Sequence, residues 1–338
     1  MAKKNTIYDV AKRAGVAIST VSRVLNQSPY VSDSTKQRVE KAIQELDFYP
    51  QVNARNLARK EAQLISVAVP TFTTPFFNEV LKGVKDEIKN TGLDFIIYNT
   101  GSDNTEKNFT GFIEKGIPDA MLIFSIEITE TIHKRLKDLP IPVILIGYEH
   151  DDYDYIQWDN YQGGFIAAEH LIKQGYTKIG MIRPHAKSVF SDQRERGFRD
   201  ALRQFGVAMD EDYLVSGITR KHAGLSEEAG AEAINILLSR NKLPQALFCS
   251  NDAQAIGAIH SLKEKGYSVP GDVAVMGYDN IKITNYLNLT SVDQKMYEVG
   301  KASIKRLAER IKNNDMKPLK TIIKPELVVR KSTLKPGN

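Results

Sequence analysis

From Leu64 to the last residues, short apolar runs alternate with amphipathic stretches, and this alternation constrains the fold more than any other feature. LISVAV, DFIIY, AMLIF and PVILIG, with a strand near Tyr155–Trp158, form one series. KIGMI, QALFCS and DVAVMGY form a second. Stretches of helical period lie at 76–89, 161–174, 193–205, 226–239 and 253–265. Near-continuous apolar strands that alternate with helices are the pattern of parallel sheets covered on both faces. Two such series predict two similar lobes. The tail re-enters helix over 297–313 and then strands at TIIK and LVVR.

The first sixty residues follow a different grammar. Three short helices are expected over 6–47. Thr6 with Asp9 reads as a capping box, and Ile7, Val10 and Ala11 make an apolar face. Gly15 permits a tight turn. A second helix runs from about Ile18 to Asn26 with Val21, Val24 and Leu25 inward. A third starts near Ser32 or Asp33 and buries Val39, Ile43 and Leu46, and Tyr49-Pro50 ends the unit. Charge separates the two parts. Residues 1–60 hold eleven Lys/Arg against five Asp/Glu, an excess of +6, whereas the whole chain nets +5. A basic head on a near-neutral body points to a polyanion partner for the head, the alternative being a merely solvated surface.

The head segment Thr6-Ile-Tyr-Asp-Val-Ala-Lys-Arg-Ala-Gly-Val-Ala-Ile-Ser-Thr-Val-Ser-Arg-Val-Leu-Asn26 closely resembles the head of the LacI/GalR family of bacterial transcriptional regulators. The resemblance continues through Val31-Ser32, Tyr49-Pro50 and Ala54-Arg55-Asn56-Leu57-Ala58. In the body it runs through Pro75-Phe76-Phe77, Asp159-Asn160, Arg194-x-x-Gly197-Phe198, Asn251-Asp252 and Gly277-Tyr278-Asp279-Asn280. It implies a small all-α helix-turn-helix domain joined to an α/β two-lobed effector domain of the periplasmic-binding-protein-like (type I) class. The expected divisions are a head at 1–50 and a hinge helix or linker at 51–61. The N-terminal lobe then takes 62–159 and 291–320, and the C-terminal lobe 160–290 and 321–334.

A helix that enters the major groove needs small or hydrogen-bonding residues at its start and an Arg that reaches a base edge. Ile18, Ser19 and Arg23 share one face. Arg23 is suited to donate two bonds to guanine, Ser19 to bond a base edge, and Ile18 to pack on a thymine methyl. Their alternatives are a phosphate clamp for Arg23 and a helix-start role for Ser19. Thr20 and Ser22 meet phosphates or water, and the resemblance adds Thr6 and Asn26 to the DNA-binding set. One departure stands out: Ala17 occupies a position where relatives usually carry a capping Ser, and loss of a cap costs about 1 kcal/mol. A start shifted so that Ser19 caps is the alternative. The resemblance further implies that Leu57 wedges into a central base step, that Ala54, Arg55 and Ala58 line the minor groove, and that hinge helices pair across a two-fold dimer on a near-palindromic operator. For Leu57 the alternative is a core residue of the body.

In the body, ligands are expected beyond the carboxyl ends of the strands. Phe76 and Phe77 are placed to stack on a sugar ring, with core packing as the alternative. Arg194 suits hydroxyls or a carboxylate, with a surface salt bridge as the alternative. Asn251 and Asp279 end strands and read as a hydroxyl-binding pair. Asp159 sits at the first crossover, where a structural cap is equally expected. Leu225 stands where many relatives carry an aromatic, which weakens one stacking wall and argues against a planar purine. The loop RPHAKSVFS (183–191), with His185 and Lys187, is either a solvated loop or a contact for an acidic sugar.

Other chemistry is absent from the sequence. There is no G-x-S-x-G, P-loop or G-x-G-x-x-G. The tract Glu149-His150-Asp151-Asp152-Tyr-Asp154 has neither EF-hand nor zinc-site spacing and reads as a solvated loop, so no metal and no cofactor is expected. A sugar hydrolase using Asp159 and Asp279 would need turnover, and a transport receptor would need a signal peptide and no basic head. One cysteine, Cys249, in an apolar strand suits core packing in a reducing compartment. No apolar run approaches a membrane span. The expectation is therefore a cytoplasmic, non-enzymatic repressor of carbohydrate genes, controlled by a sugar or sugar phosphate acting as inducer or corepressor. Without a heptad tail, a homodimer is expected rather than a tail-joined tetramer.

Overall fold

The computed structural model describes residues 5–25, 28, 30–46, 48, 64–101, 104–115, 118–186 and 188–335. It divides into two compact units, Met1–Gln63 and Leu64–Asn338. The hinge expected at 51–61, with Ala54, Arg55, Leu57 and Ala58, lies outside the described residues, as do Asn26, Tyr49, Pro50 and Lys187.

The first unit holds α1 (Ile7–Ala14), α2 (Ile18–Leu25) and α3 (Asp33–Glu45). The amide and hydroxyl of Thr6 both donate to Asp9 Oδ2 at 2.7 Å, which anchors the start of α1. Gly15 ends the helix in the left-handed conformation, with φ 64°. Val10, Ala11, Val21, Val24, Val39, Ala42 and Phe48 form the core, with Leu25, Ile43 and Leu46 half-buried around it. Arg13 pairs with Glu45 at 2.6 Å and ties the first helix to the third.

The second unit contains two six-stranded sheets. The first lobe uses β1 (Leu64–Val69), β2 (Asp94–Asn99), β3 (Ala120–Phe124), β4 (Val143–Ile146), β5 (Asp154–Trp158) and β11 (Lys320–Ile323), in the spatial order β2-β1-β3-β4-β5-β11. The second uses β6 (Ile179–Arg183), β7 (Leu214–Ser216), β8 (Ala246–Cys249), β9 (Ala274–Asp279), β10 (Thr290–Asp293) and β12 (Glu326–Val328), in the order β7-β6-β8-β9-β10-β12. Every ladder is parallel except β10–β12. The lobe divisions expected at 290/291 and 320/321 move accordingly. β10 completes the second sheet beside β9, and β11 completes the first beside β5, because strand pairing rather than chain order decides which lobe a late segment joins.

The period-2 alternation sorts the strand residues. Ile65, Val67, Val69, Leu122 and Phe124 pack on α4 (Pro75–Ile88), while Ala68, Met121 and Ile123 pack on α5 (Thr105–Ile113) and α6 (Glu130–Lys137). The second lobe repeats the plan with α7 (Asn160–Lys173) and α8 (Val189–Gln204) on one face. Its other face carries α9 (Glu227–Ser239) and α10 (Asp252–Glu264). A short α11 (Thr284–Leu287) precedes β10, and α12 (Met296–Lys312) returns to pack against α4. Each close helix pair rests on small residues. A Cβ on Gly197 would lie 1.9 Å from the Tyr161 carbonyl oxygen, and one on Gly164 would lie 1.9 Å from that of Arg194. Gly197→Ala is therefore expected to push α7 and α8 apart and destabilise the body by about 1–3 kcal/mol. Chemical denaturation of wild type and variant reads this directly.

The chain passes between the sheets after β5, after β10 and between β11 and β12. Trp158 Nε1 donates to the Gln294 carbonyl at 2.7 Å and joins two of these crossovers.

Candidate nucleic-acid helix and ligand cleft

On α2, Val21 and Val24 are buried, whereas Ile18, Ser19 and Arg23 are exposed together, with Thr20 and Ser22 half-exposed at the margin. Ile18, an apolar side chain at a helix start, is 41% exposed and so open to an apolar contact from a partner. No side-chain hydrogen bond or ion pair engages Arg23 among the described residues, so the guanidinium is available to a partner. The helix starts at Ile18, and the Ala17 carbonyl accepts from Thr20 at 2.9 Å and Val21 at 3.2 Å. Ser19 lies within the helix and does not cap a shifted start. Ala17, exposed in the N-cap position, offers no capping oxygen.

In the body, the carboxyl ends of the strands of both sheets converge on one cavity of about 300 Å³. The first lobe supplies Pro70 and Thr71 after β1, Ser125 after β3, Tyr148 after β4, and Phe76 and Phe77 from the start of α4. The second lobe supplies Phe190 and Arg194 from α8, Leu225, Ser250 and Asn251 after β8, and Asp279 at the end of β9. Six of the seven expected cleft residues thus meet at one place. Asp159 is not among the residues lining it: its Oδ1 accepts from the Gln162 amide at 2.9 Å and caps α7.

Phe77 is only 6% exposed and belongs mainly to the first-lobe core, while Phe76 packs edge-on against Trp158 with centroids 5.6 Å apart. Arg194 is held at the cavity wall from three sides. Its Nε donates to Asn160 Oδ1 at 2.8 Å, its Nη1 donates to the Ser250 carbonyl at 2.6 Å, and its guanidinium lies 3.8 Å from the centre of the Tyr278 ring. It is not a surface salt bridge. Asn251 caps α10 by accepting from Gln254 at 2.9 Å, and its amide donates to the Leu225 carbonyl at 3.3 Å.

Asp279 is buried and accepts from Gln294 Nε2 at 2.5 Å, on the crossover that also receives Trp158. Burial raises its pKa to about 7, although Arg194 nearby favours the ionised form. Asp252, deeper in the same lobe, is raised by burial and by Asp279. Its carboxylate accepts from Ser291 Oγ at 2.6 Å and from the Ile281 amide at 2.9 Å. Asp279 also has a φ of 111°, a conformation disfavoured for a side-chain-bearing residue. Backbone strain of this kind concentrates at functional positions.

Several lining residues escaped the sequence reading. Tyr148 and Phe190 face each other across the lobes, with centroids 4.8 Å apart. Tyr148 lies two residues beyond the end of β4, so a strand-end rule of the kind that selected Asn251 would have selected it too. His222 and Ala223 line the cavity in left-handed conformations, at φ 49° and 60°. Gln254 Nε2 holds this loop by donating to the Gly224 carbonyl at 2.7 Å. The loop 183–191 reaches the cavity through Pro184, Ala186, Ser188, Phe190 and Ser191, while His185 is not among the lining residues.

Comparison with known proteins places both units. Residues 6–51 match the model for bacterial regulatory proteins of the lacI family, and residues 168–333 match a periplasmic binding protein-like domain. The chain is 36% identical to the HTH-type transcriptional repressor PurR of Mannheimia succiniciproducens, over 98% of this chain and 99% of that one. It is 35% identical to PurR of Histophilus somni, over 97% and 98%. Among solved structures, the Lac repressor dimer bound to operator and the anti-inducer ONPF superposes with a TM-score of 0.82 at 25% identity, covering 98% of this chain and 100% of that one. The transcriptional regulator CelR in complex with cellobiose gives 0.70 at 27%, covering 97% and 99%. A LacI family regulator from Enterococcus faecium with bound ribose gives 0.70 at 26%, covering 80% and 98%. With one domain model on the head, another on the body and relatives matched end to end, the chain belongs to the LacI family of bacterial regulatory proteins, DNA-binding transcriptional regulators with an effector-binding body.

Proposed function

We propose that this chain is a dimeric repressor whose α2 reads operator bases and whose interlobe cavity binds a small sugar-like effector. The observation that carries the reading is the cavity itself. Aromatic walls (Phe76, Tyr148, Phe190) surround a half-buried cation and a buried carboxylate (Arg194, Asp279) at the carboxyl ends of two parallel sheets. Sugars present apolar ring faces for stacking and hydroxyls for fixed hydrogen bonds, and this lining offers both. The cellobiose and ribose complexes of related regulators support a sugar. In this reading Arg194 and Asp279 hold hydroxyls, Asn251 and Leu225 shape the wall, and Asp159 acts only as a helix cap. Nothing in it calls for turnover.

A second reading, a planar heterocyclic effector, is favoured by one observation. Tyr148 and Phe190 supply the stacking surface that Leu225 lacks. A thermal-shift screen of the purified protein against sugars, sugar phosphates and nucleobases separates the two. A stabilisation that appears only with nucleobases would replace the sugar reading.

The dimer is proposed on the face where Ile97, Ile283, Tyr286 and Leu287 are exposed beside a depression lined by Pro75, Leu81, Phe95 and Ile281. Closure of the lobes on an effector would change how two such faces meet. The spacing of the paired heads would change with it, and so their grip on a near-palindromic operator.

Asp279 makes the effector response pH-dependent. Hydroxyls donating to it favour its ionised form, so binding releases protons near its raised pKa. Effector affinity is expected to rise between pH 6 and 8, measured by calorimetry in buffers of different ionisation enthalpy. The stability of the free protein is expected to show the opposite trend. A carboxyl raised on folding contributes stability fully present below its unfolded pKa of about 4 and lost as pH rises through about 7. Asp279→Asn should flatten this component of the Tm-versus-pH curve.

A further inference from the structure

The loop between β4 and β5 carries Glu149-His150-Asp151-Asp152, whose spacing along the chain fits no metal motif. Tertiary structure adds a donor from elsewhere. His133, on α6, comes against this loop with its ring stacked on that of His150, the centroids 4.3 Å apart and the planes at 29°. Asp152 Oδ2 lies 3.4 Å from His133 Nε2. One ligand atom from each of His133, His150 and Asp152 falls within 4.8 Å of the others, a grouping not repeated among the described residues.

The surroundings favour ligation over a simple ion pair. Tyr153 Oη lies 3.2 Å from His133 Nδ1, on the side of the ring opposite Nε2. A polar partner on one ring nitrogen fixes the ring and leaves the other nitrogen for a metal. Two neighbouring acids, Asp151 and Asp154, already have cationic partners. Asp151 pairs with Lys320 at 2.5 Å, and Asp154 pairs with Arg306 at 2.8 Å and with Arg310. Asp152 has no Lys or Arg partner among the described residues. Each neutral imidazole offers one ring nitrogen lone pair to a metal.

We propose that His133, His150 and Asp152 bind one zinc-class divalent metal ion, with water completing its coordination. Two nitrogens and one carboxylate oxygen suit zinc, cobalt or nickel, whereas calcium and magnesium require shells of oxygen. The donors must close to the roughly 2.0–2.2 Å metal–ligand distances of such sites. Asp152, with 59% of its side chain exposed, has room to move. The Asp152 amide now donates to His150 Nδ1 at 3.2 Å, and the ion replaces that contact. Bound metal would clip α6 to the loop that begins with Tyr148, two residues before His150. If the cavity is the effector site, the ion stiffens one of its walls. That consequence rests on the effector reading, whereas the site does not.

The test is a calorimetric titration of the chelator-treated, full-length protein with ZnCl2 at pH 7.5, followed by cobalt substitution and absorption spectroscopy. One zinc per chain is expected, with cobalt giving ligand-field bands. Affinity should fall at least about ten-fold in His133→Ala and in Asp152→Asn, and about ten-fold in Tyr153→Phe, which loses only the orienting hydroxyl. His260→Ala, an exposed histidine on α10, should leave it unchanged. Should His133→Ala misfold by circular dichroism, Asp152→Asn at the surface carries the test alone. Absence of saturable zinc binding, binding that survives Asp152→Asn, or displacement of zinc by millimolar magnesium would each overturn the proposal.

Discussion

Arg194→Ala is expected to abolish the response to effector while operator affinity stays within a few-fold of wild type. Arg194 lines the cavity and is fixed by Asn160, Ser250 and the Tyr278 ring, so its guanidinium meets a ligand already oriented. Truncating a half-buried, hydrogen-bonded charge at a binding site costs about 2 kcal/mol, the low end of the range for buried pairs, which is roughly 30-fold in affinity. Two further effects act in the same direction. Arg194 favours the ionised form of Asp279, so its removal pushes that carboxyl further toward the protonated state. It also takes the Arg194 donor from the Ser250 carbonyl and leaves Asn160 Oδ1 with the Tyr278 hydroxyl at 3.5 Å, at about 1–3 kcal/mol of body stability. The measurement is effector binding by calorimetry alongside operator binding by fluorescence anisotropy. A normal effector isotherm in the variant would remove Arg194 from the site. Loss of both activities together would mean that the body had unfolded.

Arg23→Ala acts on the other unit. Arg23 is exposed on α2, with no side-chain hydrogen bond or ion pair among the described residues, and Val21 and Val24 anchor the opposite face. If it donates two bonds to a guanine, its loss should cost about 1–3 kcal/mol against the preferred base at one position of each half-site and relax the preference there. If it clamps a phosphate, binding should weaken evenly across sequences and the salt dependence should fall by about one ion. Binding to a library of operator variants at two salt concentrations tells these outcomes apart. Head stability should be unaffected, since no core contact is lost.

Both predictions use residues already conspicuous in the chain, and that reflects which physics is local. Helix-period and strand-period apolar patterns survive as sequence because burial acts residue by residue on the face that points inward. The TVSRVLN segment folds from contacts within about forty residues, so its exposed face of Ile18, Ser19 and Arg23 follows from the positions of Val21 and Val24. Strand ends are legible for the same reason: an apolar run that stops at a polar residue marks where side chains leave the core. Asn251 and Asp279 were found that way.

What the chain alone determined, then, was the order of elements, the two-lobed plan, the helix-turn-helix and most of the cavity. Tertiary structure decided the matters that depend on distant segments coming together. It assigned β10 and β11 to their sheets and made Asp159 a cap. It also set Tyr148 against Phe190 and brought His133 beside His150 and Asp152. In each case the deciding partner lies elsewhere in the chain or in the way helices stack. Periodicity reports which way a side chain faces, and only the folded packing reports what it meets there.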